Sequence, residues 1–498
     1  MGSKCPTPFI VDSLPTGLYI CSVRLSLGQK LGIAFVGAVL ARLIFRQLAG
    51  GFMADDAFIT FRYAENIAAG SGFVYNEGER VLGTSSPLFA FLLATLKTLR
   101  IPVTAGALGI SLVCSGLTAA VVYRLAVLLR FAGLAFVPCL AYILWPRSLP
   151  ADISGLETAL FTLLVTAAFY FHHRRLYFYA LGAATLASLT RPEGLAVLAL
   201  LVLSNCIRDR ANRFYYLLMP LALLIPWFAF SFFYFGTLVP HAVTAKLALY
   251  SRFGTESFLT NFVYLLALHN PVGWATAVLA AIGIYRLGRT QNFGGIEALW
   301  LALMLAFYTF SPTHLFFWYI APIYPLFLLF AAVPVVWMFE SVHGLQAART
   351  PAVAAITLGL VVLLGYGAYR QAGQYREAQA YSDTVSKEVG RYLHSHSDRT
   401  ADTLAAEDIG YIGYYADMTI IDRDGLVSPV MVSYNREGRY REAMLKLRPG
   451  WLGAAPGSPI SDFLDDTLFL AAFQLDSAFS PGTSAEYRLY RRRDVDVR

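Results

Sequence analysis

Two adjacent acids, Asp55 and Asp56, are the residues whose types and spacing most directly point to chemistry. They follow an apolar run and precede a stretch with helical periodicity, so we expect them at a membrane surface. One carboxylate there can act as a general base and the other can be the partner of a cation. The alternative is an N-terminal helix cap with a favourable dipole interaction. A cap needs only one acid, so it leaves the second unexplained.

A second candidate group combines Glu157 with Arg191 and Glu193. Glu157 enters an apolar run, where a carboxylate is costly unless it lies at the interface or lines a cavity; the alternative is a cap of the helix that follows. Arg191 lies in a short turn between two apolar runs. It can pair with either glutamate or hold a phosphate by two hydrogen bonds, although Pro192 also suits a simple helix start. Asp152, nearby, is expected to be a solvated loop acid.

Three basic or titratable residues lie in later loops on the same side of the predicted membrane. His241 and Lys246 fall in one loop, where the lysine can meet a lipid phosphate or extend to headgroups. His314 falls in the next, where a polar loop position is the alternative to a substrate contact. These residues are candidates for a phosphate and substrate site near the acid pair.

Some functions are disfavoured by the sequence. It contains no P-loop, no GxGxxG before a strand, no HExxH and no metal-spaced cysteine pair, which argues against a nucleotide-driven pump and a zinc protease. The net charge is +7, but the basic residues cluster in short loops between apolar runs, as cytoplasmic loops of membrane proteins do. Nucleic acid is therefore not an expected partner.

The elements that must position these residues are membrane helices. Hydrophobic residues make up 57% of the chain and charged residues only 14%, against about 25% charged in soluble domains. The pattern predicts a polytopic α-helical membrane protein, and the shorter spans need flanking residues to reach the usual length. About eleven spans are predicted, at 28–49, 103–123, 131–146, 156–172, 176–190, 193–206, 214–235, 271–287, 296–312, 315–338 and 352–370.

Orientation follows from arginine-rich loops that alternate with loops poor in arginine and lysine. The basic side is predicted to be cytoplasmic, together with the N-terminal segment 1–27. The outer loop 51–102 is expected to carry two interfacial helices, at 57–69 and 87–100, joined by a glycine-rich turn. If 87–100 spanned the membrane instead, every later loop would change side.

The chain changes character after the predicted membrane domain, 28–370. Charges and turn residues return in 371–498, which predicts a small soluble α/β domain outside the cytoplasmic membrane. We expect it to begin with a helix at 375–394 and to contain short strands within 409–421.

Several blocks resemble a known group of enzymes. DDAFITFRYAEN at 55–66, GFVYNEGERV at 72–81 and TSSPL at 84–88 look like the first outer loop of GT-C membrane glycosyltransferases. The nearest branch is that of the mycobacterial terminal arabinofuranosyltransferases. Shorter matches follow in the same order at 155–160, 190–194, 240–246, 408–415 and 422–429.

The resemblance implies transfer of a sugar, with arabinofuranose the nearest case, from a polyprenyl-phosphate donor to a cell-envelope glycan or glycoconjugate. No cofactor is required, although Asp56 could ligate a divalent cation. The implied roles are general base for Asp55 with Asp56 beside it, donor-phosphate binding for Arg191, Lys246 and His241, and substrate binding for Glu157, Glu193, Arg62 and His314.

Two other classes remain open from the sequence. A transporter or flippase of a lipid-linked glycan would be expected to show ionisable residues in mid-span and related halves; here the acids collect in outer loops. A membrane anchor that only presents the tail would leave the acid pair unused. For the leading function, we expect the tail to position or recognise the acceptor and to perform no bond chemistry.

Overall fold

The computed structural model describes residues 25–253, 258–265, 271–290, 294–311, 314–341, 346–455, 466–480 and 486–493, with Gly457 and Gly482. The predicted cytoplasmic segment 1–27 lies almost wholly outside these residues.

The first three quarters of the chain form a helical bundle. Its helices are α1 (Leu27–Leu48), α2 (Asp55–Ala69), α3 (Pro87–Thr98), α4 (Val103–Leu128), α5 (Phe136–Leu144), α6 (Ser148–Ile153), α7 (Thr158–His173), α8 (Tyr177–Thr190), α9 (Gly194–Arg208), α10 (Arg213–Phe235), α11 (His241–Phe253), α12 (Phe258–Leu265), α13 (Pro271–Thr290), α14 (Gly295–Phe310), α15 (Phe317–Ile320), α16 (Tyr324–Ser341) and α17 (Gln346–Tyr381).

Each predicted span overlaps one or more of these helices. By length and composition, the described residues include five helices suited to cross a membrane: Leu27–Leu48, Val103–Leu128, Arg210–Phe235, Pro271–Arg289 and Phe317–Phe339. Shorter apolar helices such as α7, α9 and α14 have 10–17 residues, so they need flanking residues to cross a full bilayer.

The two helices expected in the outer loop are present as α2 and α3, which pack on each other. Helix α2 ends at Gly70, whose φ of 86° is the left-handed conformation that a glycine adopts at a helix C-terminus. The glycine-rich turn between the helices therefore lies where it was predicted.

The tail is a small α/β unit, as expected. Its remaining elements are α18 (Lys387–His396), β1 (Thr403–Ala406), α19 (Ile409–Ala416), β2 (Thr419–Asp422), α20 (Val430–Glu437), α21 (Tyr440–Leu447), β3 (Trp451–Ala454), α22 (Thr467–Ala472), β4 (Phe473–Phe479) and β5 (Tyr487–Arg492). The sheet order is β2-β1-β3-β5-β4. Strand β1 is parallel to both neighbours, whereas β5 is antiparallel to β3 and β4.

Two details of the tail differ from prediction. The prediction of short strands within 409–421 is wrong for residues 409–416, which form α19. Only β2, which begins at Thr419, is a strand in this range. A continuous apolar run does not distinguish a strand from a buried helix. The helix expected at 375–394 is not separate either: α17 continues from the last predicted span, and a single π-helical turn at Ser382–Ser386 joins it to α18.

A buried ion pair crosses the bundle between α1 and α6. Arg42 donates to Asp152 Oδ2 at 2.7 and 3.0 Å and to the Ile143 carbonyl at 2.7 Å, and the Tyr142 hydroxyl lies 3.3 Å from the same carboxylate oxygen. Both charged side chains are buried. The expectation that Asp152 is a solvated loop acid is therefore wrong, because the acid neutralises an arginine placed inside a predicted span.

We expect Arg42→Ala to lower the unfolding free energy by about 3–5 kcal/mol, since it leaves Asp152 buried without its cation. Arg391→Ala is the matched control: it removes the exposed bond to Glu388, worth about 1 kcal/mol or less. Thermal unfolding of both variants in detergent measures the difference. Equal, small shifts would show that the buried pair does not stabilise the bundle.

Candidate active site

The acid pair begins α2, but neither acid caps that helix. The N-cap position is Ala54, and it makes no side-chain capping bond. Instead, the two oxygens of Asp55 accept hydrogen bonds from the backbone amides of Gly410 at 2.9 Å and Tyr411 at 2.8 Å. These amides open α19, so Asp55 binds the N-terminus of a helix in the tail.

Asp56 points into a different environment. Its Oδ2 lies 3.4 Å from Lys246 Nζ, and the same ammonium lies 3.4 Å from the Tyr319 hydroxyl and 5.5 Å from the centre of the Phe316 ring. Asp56 and Lys246 border a cavity of about 80 Å³, whose other walls include Thr84, Ser86, Glu157, Arg191 and Leu426. The 51–102 loop, the α8–α9 turn, α11 and the tail all contribute to this cavity.

Arg191 is the most constrained cation at the cavity. It donates to Glu193 at 2.9 Å and to the Trp318 carbonyl at 3.2 Å, and it lies 3.6 Å from Glu157. Glu193 also accepts a hydrogen bond from the Tyr308 hydroxyl at 2.5 Å. The arginine is therefore held between two carboxylates, and both alternatives from the sequence, pairing with Glu157 and with Glu193, occur together.

Charge states follow from these contacts. Burial raises the pKa of Asp55 to about 8, helped by the negative charge of Asp408 and, less, of Asp56, while the amides of Tyr411 and Gly410 act in the opposite direction. A carboxylate with this pKa can take and release a proton near neutral pH.

The two cations of the cavity stay charged. Burial alone would lower the pKa of Lys246, but Asp56 and the neighbouring tyrosines outweigh it and the pKa is raised. For Arg191, burial is likewise outweighed, chiefly by Glu193, and its pKa is raised. Both groups therefore stay protonated beside their carboxylate partners.

Three other predicted site residues lie away from the cavity walls. Arg62 donates to the carbonyls of Gly413 at 2.9 Å and Met418 at 2.7 Å, so it contacts the tail. The His241 amide donates to the Leu82 carbonyl, and its buried Nε2 has no hydrogen-bond partner among the described residues. The His314 ring lies 4.8 Å from that of Phe316. Their predicted roles in binding stay predictions.

Several residues at the cavity were not named as site residues from the sequence, although Thr60, Thr84 and Ser86 lie within the blocks quoted for the resemblance. The hydroxyls of Thr60, Thr84 and Ser86 form a buried chain with spacings of 3.1 and 3.2 Å. The run of hydroxyl residues before Pro87 is the signal that could have found them. Leu426 has no such signal, because only the folded chain brings the tail to this wall.

The helical bundle with its small mixed-sheet domain is the fold of a polytopic helical membrane protein. The structure is similar to two crystal structures of ArnT from Cupriavidus metallidurans. The form bound to undecaprenyl phosphate matches with a TM-score of 0.61 at 12% identity, over 94% of this chain and 98% of that one. The apo form matches with a TM-score of 0.60 at 12% identity, over 93% and 98%.

Sequence comparisons cover less of the chain. Residues 369–492 match a family described as a domain of unknown function, DUF8728. No curated protein matches the sequence at a significant level. The likeness to ArnT at 12% identity establishes the fold, and the match in the tail brings no assigned activity.

We expect Arg191 and Lys246 to differ in their effect on stability. Arg191→Ala strands two buried carboxylates and should lower the unfolding free energy by about 3–5 kcal/mol. Lys246→Ala separates only one pair, with the partly exposed Asp56, and should cost about 1 kcal/mol or less. Thermal unfolding of the purified variants measures both. A larger loss for Lys246→Ala would mean that the lysine, not the arginine, holds this region together.

Proposed function

We propose that the chain is a GT-C membrane glycosyltransferase that moves a sugar from a polyprenyl-phosphate donor to a cell-envelope glycan or glycoconjugate, outside the cytoplasmic membrane. The observation that carries the proposal is the cavity between Asp56, Lys246 and Arg191, in a fold shared with an ArnT structure bound to undecaprenyl phosphate. The outer-loop resemblance to terminal arabinofuranosyltransferases makes arabinofuranose the first sugar to test.

The donor phosphate is assigned to the cationic side of the cavity. Lys246 is the better candidate for direct contact, because it is bound more loosely, at 3.4 Å to each of two partners. Arg191 is fixed by its two glutamates and contributes mainly electrostatic stabilisation. A cavity of about 80 Å³ has room for a compact anionic group, while the lipid chain would extend into the bilayer.

The proposed reaction is a displacement at the anomeric carbon of the sugar. The acceptor hydroxyl oxygen forms a bond to that carbon, the bond to the phosphate oxygen breaks, and the polyprenyl phosphate leaves with the electron pair. A carboxylate takes the hydroxyl proton. Asp55 is the proposed base, supported by its pKa near 8; each of its oxygens accepts one amide hydrogen bond and keeps a further lone pair. Asp56 orients Lys246.

The proposed reaction routes no step through a metal or cofactor. Among the described residues, no group of three or more histidine, cysteine, aspartate or glutamate side chains converges as metal ligands. Asp56, the residue predicted as a possible ligand of a divalent cation, lies beside Lys246, and that role stays a prediction. In the proposed reaction, Lys246 and Arg191 stabilise the charge of the leaving phosphate.

We expect the acid and the cation to affect different kinetic constants in an assay with a panel of polyprenyl-phosphate sugars. Asp55→Asn should lower kcat by about 10² to 10⁴, since it removes the base. Lys246→Ala should raise the KM for the donor about tenfold and change kcat less, since it removes a charged contact to the phosphate. Initial rates over a range of donor concentrations separate the two.

Matched controls are exposed residues of the same type. Asp417→Asn alters an acid that pairs with Arg399 at the surface of the tail. Lys97→Ala alters a lysine of α3 that pairs with Glu65 of α2. Both variants should keep the kinetic constants of the parent protein. If Asp55→Asn transfers sugar at the parent rate while Asp56→Asn does not, Asp56 is the base. If the parent protein transfers no sugar from any donor, the proposed function is wrong.

The proposal also requires the acid pair and the tail to face outside. We expect Ser433→Cys, an exposed tail position, to react with a membrane-impermeant thiol reagent in intact cells. Ala211→Cys, in an arginine-rich loop predicted to be cytoplasmic, should react only after lysis. The opposite labelling pattern would reverse the topology and contradict an outer site of transfer.

A further inference from the structure

The tail is bound to the acid pair by a specific contact between two helices, α2 and α19. Asp55 accepts hydrogen bonds from the first amides of α19, and Arg62 donates to the Gly413 carbonyl in its last turn. These two residues of α2 are seven positions apart, so they lie on one face of the helix. An acid thus meets the positive end of α19 and a cation its negative end, the favourable arrangement for the helix dipole.

Glycines allow the two helices to approach so closely. A Cβ at Gly410 would overlap the backbone carbonyl of Asp55, and one at Gly413 would overlap the Tyr75 hydroxyl. Between these positions, the rings of Phe58 and Tyr411 pack against each other with centres 3.9 Å apart and planes tilted by 34°. Any side chain at Gly410 would therefore push α19 away from the acid pair.

The tail also closes the cavity itself. Leu426 forms part of its wall. The turn that carries Leu426 is shaped by Asp422, which accepts hydrogen bonds from the amides of Asp424 at 2.9 Å and Val427 at 3.1 Å. A Cβ at Gly83 would lie 2.6 Å from Val427, so this turn packs directly on the outer loop.

We propose that the C-terminal domain is part of the catalytic machinery: α19 holds Asp55 in its working position, with Gly410 as the positioning residue, and the 422–427 turn completes the wall of the cavity. This inference rests on the proposed function for its catalytic consequence and on the helix contact for its physical basis. It gives the region matched to a domain of unknown function a role beyond recognition of the acceptor.

The catalytic consequence is tested with Gly410→Ala. The added methyl group separates α19 from α2, so we expect kcat to fall about 10- to 100-fold with little change in the KM for the donor. Gly373→Ala is the control, because a Cβ at this helical glycine meets nothing within 4 Å. Since Gly410 acts through Asp55, the double variant with Asp55→Asn should be no slower than Asp55→Asn alone. If the decreases in kcat of the two single variants multiply in the double variant, Gly410 does not act through Asp55 and the positioning role is wrong.

The physical contact is tested without any activity. Hydrogen exchange of peptides covering 405–418 is compared in the parent, Asp55→Asn and Asp56→Asn proteins. Asparagine replaces one of the two accepting oxygens with an NH2 group, which donates and would face a backbone N–H. Exchange in the Gly410–Tyr411 amide pair should therefore be about tenfold faster in Asp55→Asn and unchanged in Asp56→Asn. Unchanged exchange in Asp55→Asn would overturn the inference even in an active enzyme. If the parent protein transfers no sugar but Asp55→Asn still shows the faster exchange, only the proposed function is rejected.

Discussion

The bond between the Asp55 carboxylate and the N-terminus of α19 is the interaction on which the arrangement of this protein depends. It joins residues 355 and 356 positions apart and links the 51–102 loop to the tail. Both ends are costly to leave unpaired, since a buried carboxylate and the free amides of a helix terminus each need a partner. Because the Asp55 carboxylate and the free amides of α19 satisfy each other, the position of α2 is fixed. The direction in which Asp56 faces the cavity is fixed with it.

The need of buried charges for partners also separates the other charged residues into two groups: those held by several partners and those held by few. Arg42 and Arg191 are enclosed by acids and carbonyls, so they stabilise the bundle and have little freedom to meet a ligand. Lys246 and Asp56 form a longer, partly exposed pair. A ligand phosphate could displace that pair at small cost, which is why the lysine and not the arginine is the cation expected to move during a reaction.

Sequence reasoning located what local patterns encode. Apolar run length predicted the spans. Asp56, Lys246, Glu157 and Arg191, which the sequence suggested as site residues, line one cavity, and their roles in binding and catalysis stay predictions. Prediction from the sequence failed where contacts between distant positions determine the environment of a residue or the type of a secondary-structure element. Asp152 looked solvated because its partner Arg42 lies 110 positions away, and α19 looked like a strand because both of its faces are buried. Nothing in the sequence indicated that Arg62 donates hydrogen bonds to carbonyls of a domain more than 350 positions further on; its predicted role in substrate binding stays a prediction.

Helix α17 restricts the orientation of the tail relative to the helical bundle. Its 36 residues, at a rise of 1.5 Å each, make a rod about 54 Å long that leads from the last predicted span into the tail. Near its end, Gln379 accepts a hydrogen bond from the Met53 amide and donates one to the Tyr411 hydroxyl. A domain joined to the bundle by a continuous helix has fewer accessible orientations than one joined by a flexible linker. The entropy of orienting it is lost once, during folding, and not again at each encounter with a substrate.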